Sequence, residues 1–351
     1  MARSRRVWVT VGAIAAALAV AALLLYQQLA ASMEQRSGAP AGTSVTVTAG
    51  ASLRSVLAEL AHVGALRDPR LVEWYLRLHG EPLRAQAGTY ELEQGATARQ
   101  ILAQLAAGRV VMSQVTIVEG WTFAQLRQAL DSNPDLQHDW QHLDEAALMD
   151  ALGRHGMPAE GRFFPDTYRF AAGTSDRRIY ELALRRMRER LEQQWAERAP
   201  GAPVRTPDAA LILASIVEKE TGREDERARV AAVFSNRLRK DMRLQSDPTV
   251  IYGLGSAYDG NLRRRDLEKD GPYNSYTRAG LPPTPIALPG EASLHAALHP
   301  ADSDALYFVA TGAGDGSHYF SDTYEQHYAA LLRYLKRIGA RPDSAVTGGG
   351  K

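Results

Sequence analysis

The chain of 351 residues contains no cysteine. This absence excludes a disulfide framework, thiolate metal sites and a cysteine nucleophile, although it does not identify the cellular compartment. The chain also lacks an excess of charge of either sign, because 41 Lys and Arg residues are balanced by 40 Asp and Glu residues. Proteins that bind nucleic acid usually carry a basic patch, so the sequence predicts no nucleic-acid partner. The Gly-x-Ser-x-Gly nucleophile elbow and the phosphate-binding loop are absent as well.

The N-terminus carries a long apolar run. Residues 7–26 are uncharged and rich in Ala, Val and Leu, and three arginines precede them within residues 1–6. About 20 helical residues span roughly 30 Å, the thickness of the hydrocarbon core of a bilayer. The arginines predict a cytoplasmic N-terminus and a body on the periplasmic face of the inner membrane. A cleaved signal peptide, processed near residues 30–32, is the alternative, but its apolar region is usually only about 7–15 residues long. We expect a retained single-pass transmembrane anchor.

Short strand patterns followed by glycine and a helical pattern characterise the next part of the chain. Residues 27–43 are rich in Gly, Ala, Ser and Pro towards their end and predict a linker. The strand–glycine–helix pattern then begins three times, near Val45, Gly88 and Val115. We expect a small α+β module over residues 44–112, with the third repetition leading into the next domain.

The larger part of the chain, residues 113–340, mixes helical and strand patterns. An apolar stripe between Tyr180 and Trp195 predicts an amphipathic helix. Two short runs around the glycine-rich residues 312–316 predict a β-hairpin. The predicted fold class is therefore α+β, with a catalytic domain over residues 113–340. The tail, residues 341–351, is expected to be disordered.

Two glutamates stand at the end of a helix that should be buried. The capping Thr206 and then Pro207 favour a helix start, and the residues up to Thr221 are apolar nearly all round. Carboxylates are rarely buried unless they are paired or functional, so Glu218 and Glu220 are unusual there. Side chains two residues apart on a helix point in nearly opposite directions, so at most one faces a given cleft. One interpretation is a proton-transfer residue; the other is a helix-end glutamate paired with a nearby Lys or Arg.

Amides, hydroxyls, tyrosines and prolines are dense between residues 236 and 286. This density is typical of a sugar-binding cleft and equally of ordinary stiff loops. The candidate substrate-binding side chains are Asn236, Gln245, Asp247, Tyr252, Asn274 and Tyr276. His318, in the predicted hairpin, is expected to face a cleft or the core.

A metal site is not expected. His138 and His142 have the i, i+4 spacing of two zinc ligands on a helix. Asp139 occupies the position where the zinc-peptidase motif has Glu, and a third ligand is not evident. The sequence predicts neither a metal nor a cofactor.

Several collinear blocks carry a resemblance to a known family. They are residues 160–168, 213–221, 234–238, 243–253, 273–277 and 280–283. In these blocks the chain resembles the endolytic murein transglycosylases, the MltG or YceG-like family, and the likeness extends over about residues 44–335. The position that matches the catalytic glutamate of the family is Glu218. The resemblance also implies that residues 44–112 form a LysM-like, glycan-binding module.

The activity that the resemblance implies is a non-hydrolytic cleavage of peptidoglycan. A lytic transglycosylase cuts between N-acetylmuramic acid and N-acetylglucosamine and leaves a 1,6-anhydromuramic end. One carboxyl group can serve as acid and then as base, so neither metal nor cofactor is implied. The implied substrate is the nascent glycan strand near the membrane, whose elongation the cut terminates, and peptidoglycan synthases are implied partners. Two alternatives stay open: a non-catalytic glycan-binding scaffold, and a hydrolytic muramidase that uses Asp247 or Glu220 as a second carboxylate.

Overall fold

The computed structural model describes residues 2–340 except 49, 82 and 84, and only the backbone of residues 2–7. The chain divides into two compact units. The first comprises the residues up to 114 together with 135–137 and 169–174, and the second comprises the remainder. Helices and strands alternate along the chain, so the predicted α+β class is confirmed. The predicted disordered tail lies outside the described residues.

Helices and strands are numbered in chain order. The helices are α1 (Ala2–Glu34), α2 (Leu53–His62), α3 (Pro69–His79), α4 (Ala98–Ala106), α5 (Phe123–Asp131), α6 (Glu145–Ala151), α7 (Asp176–Ala196), α8 (Pro207–Glu220), α9 (Arg227–Arg239), α10 (Asp247–Leu254), α11 (Arg264–Glu268), α12 (Glu291–Leu298) and α13 (Tyr324–Ile338). The strands are β1 (Ser44–Val47), β2 (Gly88–Glu91), β3 (Met112–Thr116), β4 (Leu136–Gln137), β5 (Thr167–Ala171), β6 (Thr174–Ser175), β7 (Tyr307–Ala310) and β8 (His318–Ser321). Short 3-10 turns lie at Glu224–Glu226 and Gly255–Ala257.

The N-terminal helix α1 is longer than the predicted apolar segment. Its stretch from Trp8 to Glu34 is long and apolar enough to cross a membrane, and an 18-residue window within it has a mean hydropathy of 2.4. The helix continues through the first eight residues of the predicted linker, as far as Glu34. Leu29 and Met33 are buried in this extension, within the same apolar core as α3 and α4. Burial of these two side chains explains why the helix does not end with the apolar run.

The first unit is built around the antiparallel pair β1–β2, with α2 and α3 between the two strands in the chain. Val45 lies opposite Tyr90, and both are buried. The hydroxyl of Tyr90 donates a hydrogen bond of 2.7 Å to the carbonyl of Gln86, so the polar end of this buried side chain has a partner. Helix α3 was not predicted, although Pro69 in its first turn and the left-handed Gly80 at its end are ordinary boundary signals.

The second unit is organised around the buried helix α8. Thr206 caps it by accepting from the backbone N–H of Ala209, as predicted, and α7, α9, α10 and α12 pack around it. Leu211, Leu213 and Ile216 are inaccessible to solvent. The predicted hairpin is present as the antiparallel pair β7–β8. The core of this unit therefore fixes the end of α8, where Glu218 and Glu220 lie.

Candidate active site

Glu218 lies at the point where α8 emerges from the core. The two residues before it, Ile216 and Val217, are fully buried, whereas Glu218 is partly exposed. Its Oε2 accepts a hydrogen bond of 3.0 Å from the backbone N–H of Gly290, the residue before α12. Since α12 packs against α8, this pair of helices orients the carboxylate, which stays partly open to solvent.

A second carboxyl group, that of Glu119, lies beside Glu218. Glu119 is exposed in the loop after β3, and its Oε1 lies so close to Gly290 that a Cβ added to that glycine would be 1.9 Å away. Gly120, the residue after Glu119, is also close to Glu218: a Cβ added to Gly120 would lie 3.8 Å from Cγ of Glu218. Although the residue as a whole is exposed, neighbouring atoms shield its carboxyl group from part of the solvent, and this desolvation raises the pKa of Glu119. The nearby charge of Glu218 raises it further, and Arg227 opposes both effects.

Backbone hydrogen bonds hold the Glu119 loop in this place. The N–H of Gly120 donates to the carbonyl of Leu288 at 2.8 Å, and the N–H of Leu288 donates to the carbonyl of Trp121 at 2.7 Å. Lys219 of α8 donates to the Gly120 carbonyl at 3.1 Å. The loop is therefore tied both to α8 and to the segment that carries Gly290.

Glu220 belongs to a different group of polar side chains. Its Oε1 accepts from the Ser246 hydroxyl at 2.5 Å, and Tyr276 donates a short hydrogen bond to Asp247 next to it. Burial raises the pKa of Glu220 to about 7 and also raises the pKa of Asp247. The two glutamates of α8 thus face different surroundings, as their separation of two residues predicts.

Tyr252 contacts a third carboxyl group. Its hydroxyl donates to Oε2 of the buried Glu160 at 3.2 Å, and the N–H of Phe123 donates to Oε1 at 3.0 Å. Burial raises the pKa of Glu160 to about 7 in spite of both hydrogen bonds. The ring of Tyr252 lies edge-on to that of Tyr273, with 4.9 Å between their centroids.

The remaining candidate residues bind the protein's own chain. Asn236 donates to two backbone carbonyls, those of Ser303 and Ala305, at 2.7 and 3.0 Å. His318 contacts the carboxylate of the buried Glu226 twice. Its backbone N–H donates to Oε1 at 3.1 Å, and its ring Nδ1 lies 2.7 Å from Oε2. These contacts position loops.

Asn274 and Gln245 are held in a similar way. The buried Asn274 amide donates to the carbonyls of Asp266, Leu267 and Lys269. The exposed Gln245 accepts from Arg237 at 3.3 Å, and its own N–H donates to the carbonyl of Ser275. Substrate contacts by these side chains stay predictions.

The structure thus brings Asp247 and Tyr276 together with Glu220, and it places Gln245 against Arg237. Sequence reasoning missed Glu119 and Glu160. Glu119 lies three residues after the end of β3 and precedes a glycine, and Glu160 lies in one of the blocks that carry the resemblance. Each position indicates a carboxylate at a turn, but neither indicates that the carboxylate lies beside the buried helix.

His138 lies near two aspartates rather than in a pair with His142. Ligand atoms of His138, Asp131 and Asp176 lie within 4.8 Å of one another. The Asp176 carboxylate already accepts from the backbone N–H groups of Trp140 and Arg177. The sequence-based expectation of no metal stays a prediction.

Comparisons with known proteins agree on one family. A sequence model of the YceG-like family matches residues 45–333. A relative from Bacillus subtilis (strain 168), named endolytic murein transglycosylase, is 30% identical over 310 residues, 83% of this chain and 84% of the relative. A Streptococcus pneumoniae (serotype 2, strain D39) protein of the same name is 25% identical over 319 residues, 81% of this chain. The chain covers 57% of that relative.

The crystal structure of a YceG-like protein from Listeria monocytogenes is similar as well. Its TM-score is 0.50 at 30% sequence identity, over 82% of this chain and 98% of that one. The resemblance that the sequence blocks indicate is confirmed. With the family model matching most of its length, the chain belongs to the YceG-like family.

Proposed function

We propose that this protein is an endolytic lytic transglycosylase that cuts peptidoglycan glycan strands, with Glu218 as its proton-transfer residue. The supporting observation is the partly exposed Glu218 carboxyl group, held by the Gly290 N–H at the end of an otherwise buried helix. The names of the relatives from Bacillus subtilis and Streptococcus pneumoniae agree with this activity. Glu218 also lies in the block that matches the catalytic motif of the family.

The reaction needs one proton donor that later accepts a proton. Glu218 first protonates the oxygen between N-acetylmuramic acid and N-acetylglucosamine, and the bond from that oxygen to C1 breaks. The C6 hydroxyl of the muramic residue then forms a bond to C1, and its proton passes to the Glu218 carboxylate. The product carries a 1,6-anhydro ring, Glu218 is protonated again, and water is not consumed. The Gly290 N–H favours the charged carboxylate that exists between the two transfers.

Mass spectrometry of the strand ends tests this proposal. The full chain in detergent is incubated with peptidoglycan, and the new ends are analysed. Anhydromuramic ends, lighter by one water molecule than reducing ends, are expected from the wild type, and none from Glu218→Gln.

A hydrolytic muramidase is the second candidate, because Glu119 lies beside Glu218. A hydrolase needs a second carboxyl group to activate water or to bind the sugar. Asp247 and Glu220, the candidates from the sequence, instead contact Tyr276 and Ser246. Reducing ends from the wild type would favour hydrolysis. Binding of glycan without cleavage would favour a scaffold.

The place of action that we propose is the periplasmic face of the inner membrane. The apolar stretch of α1 from Trp8 to Glu34 is long enough to cross a bilayer, and arginines precede it in the sequence. An enzyme anchored there meets strands as synthases extend them, and its cut ends their elongation. Cross-linking in membranes tests for contact with peptidoglycan synthases.

Residues 44–112 are proposed to be a LysM-like glycan-binding module. The order β1–α2–α3–β2, with β1 and β2 antiparallel, supports this proposal. The isolated segment should fold and sediment weakly with insoluble peptidoglycan, since one small module offers few contacts. A folded segment that stays in the supernatant would assign it a spacing role.

A further inference from the structure

The carboxyl group of Glu119 lies close enough to that of Glu218 to interact with it electrostatically. Both carboxyl groups contact Gly290. The backbone N–H of Gly290 donates to Glu218, and the carboxyl group of Glu119 occupies the space where a Cβ of residue 290 would lie. Glu119 is exposed although hydrogen bonds fix its loop on both sides. The fixed loop distinguishes Glu119 from a flexible surface glutamate.

The charges around Glu119 come from two helices. Helix α8 supplies Glu218 and also Lys219, whose ammonium binds the Gly120 carbonyl. Helix α9 supplies Arg227, whose charge opposes the effect of Glu218. The third neighbour, the segment 286–290, carries no charged side chain. The negative charge of Glu218 raises the pKa of Glu119, so the two carboxyl groups interact electrostatically.

We propose that Glu119 is a second functional carboxyl group of the active site. Glu218 carries the proton to the glycosidic oxygen, and the ionised form of Glu119 holds a negative charge towards the sugar. This inference rests on the proposed function, because it assigns a role within that reaction.

The charge of Glu119 acts on the step in which the glycosidic bond breaks. The bonding electrons leave with the oxygen that Glu218 protonates, so positive charge develops at C1 and on the ring oxygen. A fixed carboxylate nearby stabilises that charge. When the C6 hydroxyl attacks C1, its proton returns to Glu218. Glu119 therefore gains and loses no proton over the cycle.

Measurements of kcat against pH on the full chain in detergent test the proposal. Glu119→Gln removes the charge and keeps the shape, and we expect kcat to fall by roughly 10–100-fold. Without the neighbouring charge, the acid loses its proton at lower pH. The alkaline limb of the kcat profile should therefore move down by roughly half to one pH unit.

Three further variants separate this role from a structural one. Glu119→Asp keeps the charge, so the alkaline limb should return towards its wild-type position. Gly290→Ala keeps the N–H that binds Glu218 and has an ordinary φ of −79°, but its methyl group would displace the Glu119 carboxyl group. It should reproduce part of the effect of Glu119→Gln. Glu189→Gln, at an exposed position of α7, is the matched control and should change neither quantity.

Two outcomes would overturn the inference. One is wild-type kcat and pH profile in a folded Glu119→Gln protein. The other is an equal loss in Glu119→Gln and Glu119→Asp with an unmoved alkaline limb, which would indicate a structural contact alone. Failure of the proposed function itself would look different, since the wild type would then release no anhydromuramic ends.

Discussion

Replacement of Glu220 with glutamine should change how the stability of the second unit depends on pH. Burial raises the pKa of this carboxyl group from 4.5 to about 7 in the folded chain. Between these two values the folded state holds a proton that the unfolded state has released. The free energy of unfolding therefore falls as pH rises through this window. A difference of this size corresponds to about 3 kcal/mol in all, of which about 2.5 kcal/mol is lost between pH 5 and pH 8.

Glutamine resembles the neutral acid and can still accept from the Ser246 hydroxyl. We therefore expect the gap between Tm of Glu220→Gln and Tm of the wild type to widen from pH 5 to pH 8. For a unit of this size, Tm of the variant relative to that of the wild type should rise by roughly 5–10 °C between pH 5 and pH 8. Glu160 also has a pKa raised to about 7, but it is present in both proteins and its contribution cancels. Thermal unfolding followed by circular dichroism measures the gap, with Glu189→Gln as control. A gap that stays constant with pH would refute the assignment of a buried, protonated Glu220.

Three further predictions concern the core, a buried cation and the N-terminal helix. Leu213→Ala should lower the free energy of unfolding by roughly 2–5 kcal/mol, because the side chain is fully buried in α8; Leu78→Ala, at an exposed position, should change it little in the same denaturation experiment. Arg237→Met should cost at least about 3 kcal/mol by the same measurement, since the buried guanidinium donates to the carbonyls of Leu306 and Leu244 at 2.7 Å. In alkaline carbonate extraction, the protein should remain in the membrane pellet with an intact N-terminus, because α1 is apolar from Trp8 onwards; a shortened, soluble form would contradict a retained anchor.

The helices and strands that sequence patterns predicted are those with a clear period. Helix α8 has a capping threonine, a proline in its first turn and a run of apolar residues, and it begins and ends within a residue of the prediction. The β7–β8 hairpin was equally recognisable from two short runs around a glycine-rich turn. Helix α3 was missed because its buried positions include Glu73, which breaks the apolar stripe. That glutamate is paired with Arg77 at 2.7 Å, a contact that a stripe of apolar residues does not reveal.

The sequence predicted only part of the candidate active site. Glu218 could be singled out because a carboxylate at the end of an apolar helix violates an expectation about burial. Glu119 could not, since it lies 99 residues before Glu218 and only the packing of its loop against α8 and Gly290 brings the two together. Density of polar residues does not show which side chains hold the protein's own backbone. Asn274 is of a residue type that often binds sugars, but its amide donates hydrogen bonds to backbone carbonyls of its own loop.

The most direct test of the central claim is the product of strand cleavage by matched glutamate variants. The full chain, Glu218→Gln and Glu220→Gln are incubated with peptidoglycan, and the new strand ends are counted by mass spectrometry. The wild type and Glu220→Gln should release 1,6-anhydromuramic ends at similar rates per folded molecule. Glu218→Gln should remain folded and lose at least roughly 10²–10⁴-fold in rate, since one carboxyl group serves both proton transfers. Reducing ends from the wild type, or undiminished cleavage by Glu218→Gln, would contradict the assignment.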